Sequence, residues 1–414
     1  MSPALCVCCR PLAVGLARRR ILYSAAQSRR RHQQRRNQST ADDSAASQET
    51  WEAAKVELPK PEGKIIFSAI QPTGVPHLGN YFGALRQWKQ LQDAAQGTED
   101  MVLFSIADLH AITVPQEPIT LRIRRREVLA SLLAVGIDPL KGSILFYQSS
   151  VPAHAELMWI LSCTASMGYL GRMTQWKTKL QEHNKAADLD DSTMGGLKLG
   201  LFSYPVLQAA DILIHRATHV PVGDDQRQHL EFTRECATNF NATYKSLLIP
   251  PQTVTSPSPR IMSFVNPVNK MSKSALNHRS RLLITADAVE IKSRIFGAVT
   301  DNFNGVTYDR ENRPGVANLL EILSQCTKTL AGKAPSPREI AEDYASAGST
   351  LAHLKADVTA ALEVELEGVG DRYREHLERK GGKWLEEVEA ECAEAARRSA
   401  ERTMDAVRRA VGLA

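Results

Sequence analysis

The chain has 414 residues, 43% of them hydrophobic and 23% charged, which suits two or three domains with a sizeable core and excludes a collagen-like, mainly disordered or membrane-embedded protein. Residues 1–41 hold nine Arg and no Asp or Glu, so the formal +5 of the whole chain becomes −4 over residues 42–414. Nucleic-acid binding by the body of the chain would therefore need local basic patches, because its overall field does not attract a polyanion.

In chain order, residues 1–41 combine short apolar stretches with Arg18-Arg19-Arg20, Arg29-Arg30-Arg31 and Arg35-Arg36. That pattern reads as a mitochondrial transit peptide and implies the mitochondrial matrix; a disordered basic RNA-binding arm is the alternative. Three of the seven Cys lie in this leader, and Cys163, Cys236, Cys326 and Cys392 are far apart, so neither a disulfide framework nor a zinc ribbon is supported. No apolar run reaches the ~18 residues of a membrane span, and no membrane insertion is expected.

After a polar linker over 42–62, Lys64–Ile70 reads as a strand, a Gly/Pro-punctuated loop follows, and Tyr81–Leu91 reads as a helix. The alternation continues with Met101–Ala107 as strand, Ile119–Val135 as helix, Ile144–Gln148 as strand and Ala153–Ser166 as helix. Val206–His215 is then helical, His219–Val222 a short strand and Asp225–Tyr244 a long helix. Such alternation implies an α/β fold, a doubly wound, Rossmann-like parallel sheet over 63–245 of nucleotide-binding type. Pro250–Pro259 reads as loop within a connecting segment, 246–285. Residues 286–414 read as an all-helical C-terminal domain, with Trp384, Val388, Cys392, Met404, Val407 and Val411 near helical spacing.

Two segments could carry chemistry. Gln71-Pro72-Thr73-Gly74-Val75-Pro76-His77-Leu78-Gly79-Asn80 lies between the first strand and its helix, where free N–H groups favour anions. Its glycines permit close backbone approach to a nucleotide, and His77 and Asn80 offer donors to phosphate. It is not a Walker loop, and taken alone it reads better as an ordinary strand-to-helix turn with Gly for geometry. The second segment, Lys270-Met271-Ser272-Lys273-Ser274, can bring two ammonium groups onto one polyphosphate. Five fixed letters arise by chance in about 1 chain in 10⁴ of this length, which makes a merely solvated basic loop a poor account.

Together these segments resemble the two signatures of class I aminoacyl-tRNA synthetases. Further words narrow the resemblance: Ser68 to Gly74, Asp108-Leu109-His110-Ala111-Ile112-Thr113, Met173-Thr174-Gln175, Tyr204 to Leu213 and Val220 to Gln226 are similar to the bacterial and mitochondrial tryptophanyl-tRNA synthetases. The likeness spans about 64–412. It implies ATP contacts from Gln71, Pro72, Thr73, Gly79, Asn80, Lys179, Gly223, Asp224, Asp225, Ile261, Lys270, Met271, Ser272, Lys273 and Ser274. It implies a tryptophan pocket of Phe67, His110, Gln175, Tyr204 and Asp211, with Asp211 accepting from the indole N–H. The donor-only indole nitrogen needs an acceptor, and a buried carboxylate left unpaired would reject phenylalanine. On the residues alone Asp211 could be a helix-surface carboxylate, His110 a core histidine and Phe67 plain strand packing.

The implied reaction joins the tryptophan carboxylate to the α-phosphate of ATP, with Lys270, Lys273, His77 and Asn80 as the catalytic set and Mg²⁺ on the phosphates. Transfer to tRNA(Trp) follows, with tRNA contacts from the helical half, and the family's members are homodimers. No protein metal site is expected, and the acidic run 188–191 reads as solvated surface. Ala275-Leu276-Asn277 departs from the Asp-Pro common in the family. The rivals are a tyrosyl-tRNA synthetase, which shares the architecture, and a synthetase-derived RNA-binding or splicing factor without catalysis.

Overall fold

Five short runs form one sheet, and every pairing in it is parallel. The computed structural model describes residues 58–178, 197–223, 226–255, 260–273, 275–327 and 334–414. The strands are β1 (Ile65–Ile70), β2 (Met101–Ile106), β3 (Ser143–Tyr147), β4 (His219–Val222) and β5 (Gln252–Thr255), in the order β3-β2-β1-β4-β5. Winding therefore reverses at β1, whose Ile66 pairs with Val102 on one side and His219 on the other. The crevice beyond the carboxyl ends of β1 and β4 is where such sheets take ligands.

Alternation along the strands sets the two faces. Ile66, Val102, Phe104, Leu145 and Tyr147 join a core with Leu85, Trp88 and Val128, contributed by the helices that follow β1 and β2. Those helices are α1 (Leu78–Asn80), continued by a π-helical segment, Tyr81–Leu85, into α2 (Arg86–Ala95), then α3 (Asp108–Ala111) and α4 (Pro118–Ala134). Trp88 lies flat on Phe104 at 4.5 Å. On the other face Phe67 stacks on His215, and Phe146 meets both His154 and His215. This face is covered by α5 (Ala153–Ser162), followed by α6 (Met167–Arg172), by α7 (Leu199–Ile214) and by α8 (Arg227–Thr243).

Three expectations change. Pro250–Pro259, read as loop, contains β5; its flanking prolines hide a Thr-Val-Thr run that pairs with β4 as an edge strand, where proline is tolerated. Ala153–Ser166 breaks after Ser162, and Ser166 caps the next helix by accepting from the Tyr169 N–H. The helix expected from Val206 starts at Leu199 and carries Pro205 inside it.

Beyond residue 286 every regular element among the described residues is helical: α9 (Ala288–Phe296), α10 (Pro314–Cys326), α11 (Pro337–Ser346), α12 (Leu351–Glu365), α13 (Val369–Glu378) and α14 (Trp384–Val411), with one 3₁₀ turn, Arg379–Gly382, between the last two. Ile261, Met271, Leu282 and Ile284 bury in the same core as Leu319, Leu354 and the first face of the sheet. α14 returns to β3 and α5. Its buried stripe includes Ala393, Ala396, Ala400 and Met404, and the small residues allow close approach to the edge strand. Among the described residues no helix is long and apolar enough to cross a membrane.

Candidate active site

A cavity of about 410 Å³ opens at the carboxyl ends of β1 and β4. Phe67 comes from β1, His110 from α3, Tyr204 and Asp211 from α7, and Gln175 from the segment after α6; all five line it, with Gln71, Gln208 and Gln226. Asp211 is 2% exposed, so it is no surface carboxylate. Burial pushes its pKa up, and the hydrogen bonds from His110 and His154 more than offset this, holding the carboxyl ionised below its ordinary range. Its Oδ2 accepts from His110 Nε2 at 2.9 Å, its Oδ1 from His154 Nδ1 at 2.7 Å, and Gln148 Nε2 donates to both oxygens at 2.7 and 2.8 Å. Gln148 cannot turn, because its Oε1 accepts from the Leu109 and His110 N–H groups.

Asp211 is therefore not a bare carboxylate: three side chains already donate to it. Tyr204 Oη donates to Gln175 Oε1 at 2.6 Å and lies 3.2 Å from His229 Nε2, which fixes one wall.

The rim is built by the two signature segments. His77 caps α1: its Nδ1 accepts from the Asn80 N–H at 3.3 Å, while Asn80 Oδ1 accepts from the His77 N–H at 3.1 Å. Gly79 is needed beside them, since a Cβ there would stand 3.0 Å from His77 Cε1. Gly74, at φ +96°, turns the loop after β1. The Leu78 N–H donates to Leu282 O at 2.8 Å and the Ile284 N–H to Pro76 O at 3.1 Å, which ties this loop to the stretch following the lysine-rich segment. That segment is itself tied back by the Met271 N–H to Ile261 O at 3.0 Å and the Ser263 N–H to Asn269 O at 2.8 Å.

Lys273 Nζ donates to Gly74 O at 2.6 Å and Thr73 Oγ1 at 3.0 Å. Burial lowers its pKa to about 7, opposed by Glu127 and assisted by Arg124 and Arg281. Burial, then Lys273, Lys270 and Arg281, lowers that of His77 to about 3, so the ring is neutral. The bonds from Lys273 to Thr73 and Gly74, with the backbone ties at Leu78 and Ile284, hold the two segments side by side. The rim continues into the cavity, because Gln71 lines the latter while Thr73 and Gly74 hold Lys273. Lys270 is exposed, Ser272 half-buried, Pro72 buried, and Gly223 directly follows β4. Ile261 and Met271 are each 2% exposed, and their side chains serve the core. Where the family commonly has Asp-Pro, Ala275 O accepts from Arg281 Nη1 at 2.9 Å.

Lys179, Asp224, Asp225 and Ser274 lie outside the described residues, as do the acidic run 188–191 and the leader. Among the described residues no three His, Cys, Asp or Glu side chains converge to hold a metal ion. Sequence reasoning missed Gln148, His154, Gln208 and Gln226. For Gln148 a signal existed, since it follows the last residue of β3 at the ligand-binding end of the sheet.

A family model described as tRNA synthetases class I (W and Y) matches residues 61–367. A mitochondrial tryptophan–tRNA ligase of Schizosaccharomyces pombe is 43% identical over 85% of this chain and 96% of its own. One from Saccharomyces cerevisiae is 44% identical over 75% and 82%. The crystal structure of tryptophanyl-tRNA synthetase from Campylobacter jejuni, complexed with ADP and tryptophan, superposes with a TM-score of 0.66 at 30% identity, covering 84% of this chain and 100% of the other. The chain thus belongs to the class I tRNA synthetases, and within them to the tryptophan–tRNA ligases.

Proposed function

We propose that this ligase seats the tryptophan side chain in the cavity above Asp211 and the triphosphate of ATP at the rim under Lys270 and Lys273. The observation that carries the proposal is the adjacency of the two: a buried, ionised acceptor in the cavity, and a desolvated lysine bonded to Thr73 and Gly74, two and three residues along from Gln71 of the cavity lining. The indole N–H donates to Asp211 Oδ2, taking the place of His110, and Phe67 and Tyr204 flank the ring. The tryptophan carboxylate oxygen forms a bond to the α-phosphorus as the bond to the bridging oxygen breaks and pyrophosphate leaves. Held in line, the carboxylate needs no activating base, so the protein's work is positioning and neutralising charge on the leaving group.

Lys273 gives up Gly74 O and Thr73 to meet the phosphates, while His77 and Asn80 hold α1 with its N–H groups toward the nucleotide. By the resemblance, Gln71, Pro72, Thr73, Gly79 and Gly223 surround the nucleoside together with the backbone at Ile261, and the backbone at Met271 and Ser272 faces the phosphates; Lys179, Asp224, Asp225 and Ser274, outside the described residues, are candidates from the sequence alone. Mg²⁺ would enter with those phosphates and supply further neutralisation of their charge. The second reaction transfers tryptophan to the terminal adenosine of tRNA(Trp), with residues 286–414 as the tRNA-binding half.

Trp159 of α5 and Met167 of α6, 71% and 68% exposed, offer apolar area to a second copy in a homodimer, which sedimentation would test. The arginine-rich, acid-free residues 1–41 and the mitochondrial relatives support the matrix as the site of action. ATP–pyrophosphate exchange with tryptophan, tyrosine and phenylalanine tests the central assignment. Exchange with tryptophan alone is expected; preference for tyrosine would overturn it.

A further inference from the structure

Behind Asp211, on the side away from the cavity, runs a buried chain of polar groups that the reaction does not itself use. His154 of α5, fully buried, donates from Nδ1 to Asp211 Oδ1 at 2.7 Å; its Nε2 faces His215 Nε2 at 3.4 Å; His215 Nδ1 meets Ser399 Oγ of α14 at 3.1 Å. His110 and Asp211 line the tryptophan cavity, whereas His154, His215 and Ser399 do not. His215 and Ser399 instead border a separate cavity beside α14.

With neutral rings, one arrangement satisfies every bond. Ionised Asp211 can only accept, so His154 carries its proton on Nδ1 and must accept at Nε2. His215 then donates from Nε2 and accepts at Nδ1, which leaves the Ser399 hydroxyl as donor. The reverse direction would set a bare Nδ1 lone pair of His154 against the carboxylate. Thus the carboxylate fixes the tautomers of the two histidines in turn, and the Ser399 hydroxyl on the C-terminal helix closes the chain as the donor that the last ring nitrogen requires.

The same helix also fastens the segment that carries the other donors. Glu389 of α14 accepts from Ser150 Oγ, Arg397 Nε donates to Ser150 O at 2.9 Å, and Arg408 makes a two-pronged pair with Glu156 of α5 at 2.6 and 2.7 Å. Ser150 stands two residues after Gln148, and Glu156 two residues after His154.

We propose that His154, backed by His215 and Ser399, is a positioning residue for tryptophan selection. It pins Asp211 Oδ1 so that Oδ2, the cavity-side oxygen, is presented to the indole N–H when His110 yields its place. The two oxygens then have different duties: Oδ1 is the fixed end and Oδ2 the exchangeable one. The proposal rests on the assignment of Asp211 as the indole acceptor.

Its test uses the full-length enzyme in pyrophosphate exchange, with tryptophan and with a benzothienyl analogue in which sulfur replaces the ring N–H. His154→Leu should raise the tryptophan KM at least tenfold, leave the ATP KM within twofold, and leave the analogue's KM nearly unchanged. His154→Asn, which keeps a donor at the Nδ1 position, should recover most of the loss. Ser399→Ala should raise the tryptophan KM two- to threefold and the analogue's not at all; it carries the test if His154→Leu does not fold. An equal rise for tryptophan and analogue, or no rise in either variant, would overturn the proposal. Asp211→Asn separates the two levels: if it leaves tryptophan KM unchanged, the acceptor assignment itself fails, whereas a large effect there with a silent His154→Leu and a silent Ser399→Ala sinks the positioning chain alone.

Discussion

Asp211 at the floor of the hollow and Lys273 at its rim are both withdrawn from water, yet they are held in opposite ways. Asp211 keeps its charge because three side chains donate to it, and most of those partners are pinned by others in turn. Lys273 is driven toward neutrality by burial, which Glu127 offsets only in part, and its hydrogen-bond partners, a carbonyl and a hydroxyl, are neutral. The floor is therefore complete before substrate arrives, while the rim holds its charge in a poorly compensated position that a polyphosphate would relieve. On the proposed roles, selectivity falls to groups held in place beforehand, among which His110 alone yields, and charge neutralisation to a lysine that leaves its present partners.

The sharpest way to break this division is Lys273→Ala. It should lower kcat for adenylate formation by about 10²–10³, the loss typical of one preorganised charge donor, with tryptophan KM within twofold. A rise in tryptophan KM with unchanged kcat would merge the two roles.

The next effect is on pH. Because Lys273 titrates near 7 in the free enzyme, kcat/KM for ATP should fall about tenfold per unit as pH rises beyond that value, since only the protonated form attracts phosphate. Bound triphosphate restores the charge, so kcat itself should hold to higher pH. Lys273→Arg should move the falling limb above pH ~9, given the far higher guanidinium pKa. His77, near 3, contributes nothing above pH 5.

A smaller change at the rim is Gly79→Ala. The new Cβ would press on the His77 ring and loosen the cap, raising ATP KM about fivefold, in line with the ~1 kcal/mol of a helix cap, with little effect on tryptophan. Smallest is Tyr204→Phe at the wall. Losing the bond to Gln175 should raise tryptophan KM about threefold to fivefold, on the order of a single neutral hydrogen bond.

The same contrast shows how much of the site was legible in the sequence. The rim depends on runs of neighbouring residues, Gln71 to Asn80 and Lys270 to Lys273, and local words of that kind can be read directly. The floor gathers Gln148, His154 and His215 from three elements around Asp211. In sequence, each is an isolated polar residue in or beside an apolar segment, indistinguishable from a satisfied core residue. The fold behaves likewise: β1 to β4 announce themselves through β-branched and apolar runs, whereas β5 is only four residues long and is concealed by the prolines that flank it. The C-terminal helix was legible through its large residues, but the alanines that let it lie against β3 carry no comparable signal.

Calorimetric titration with tryptophan in the absence of ATP, on the wild type, Asp211→Asn and Lys273→Ala, bears most directly on the separation of floor from rim. Wild type and Lys273→Ala should bind alike, and Asp211→Asn at least tenfold more weakly. Equal weakening in both variants, or none in Asp211→Asn, would contradict it.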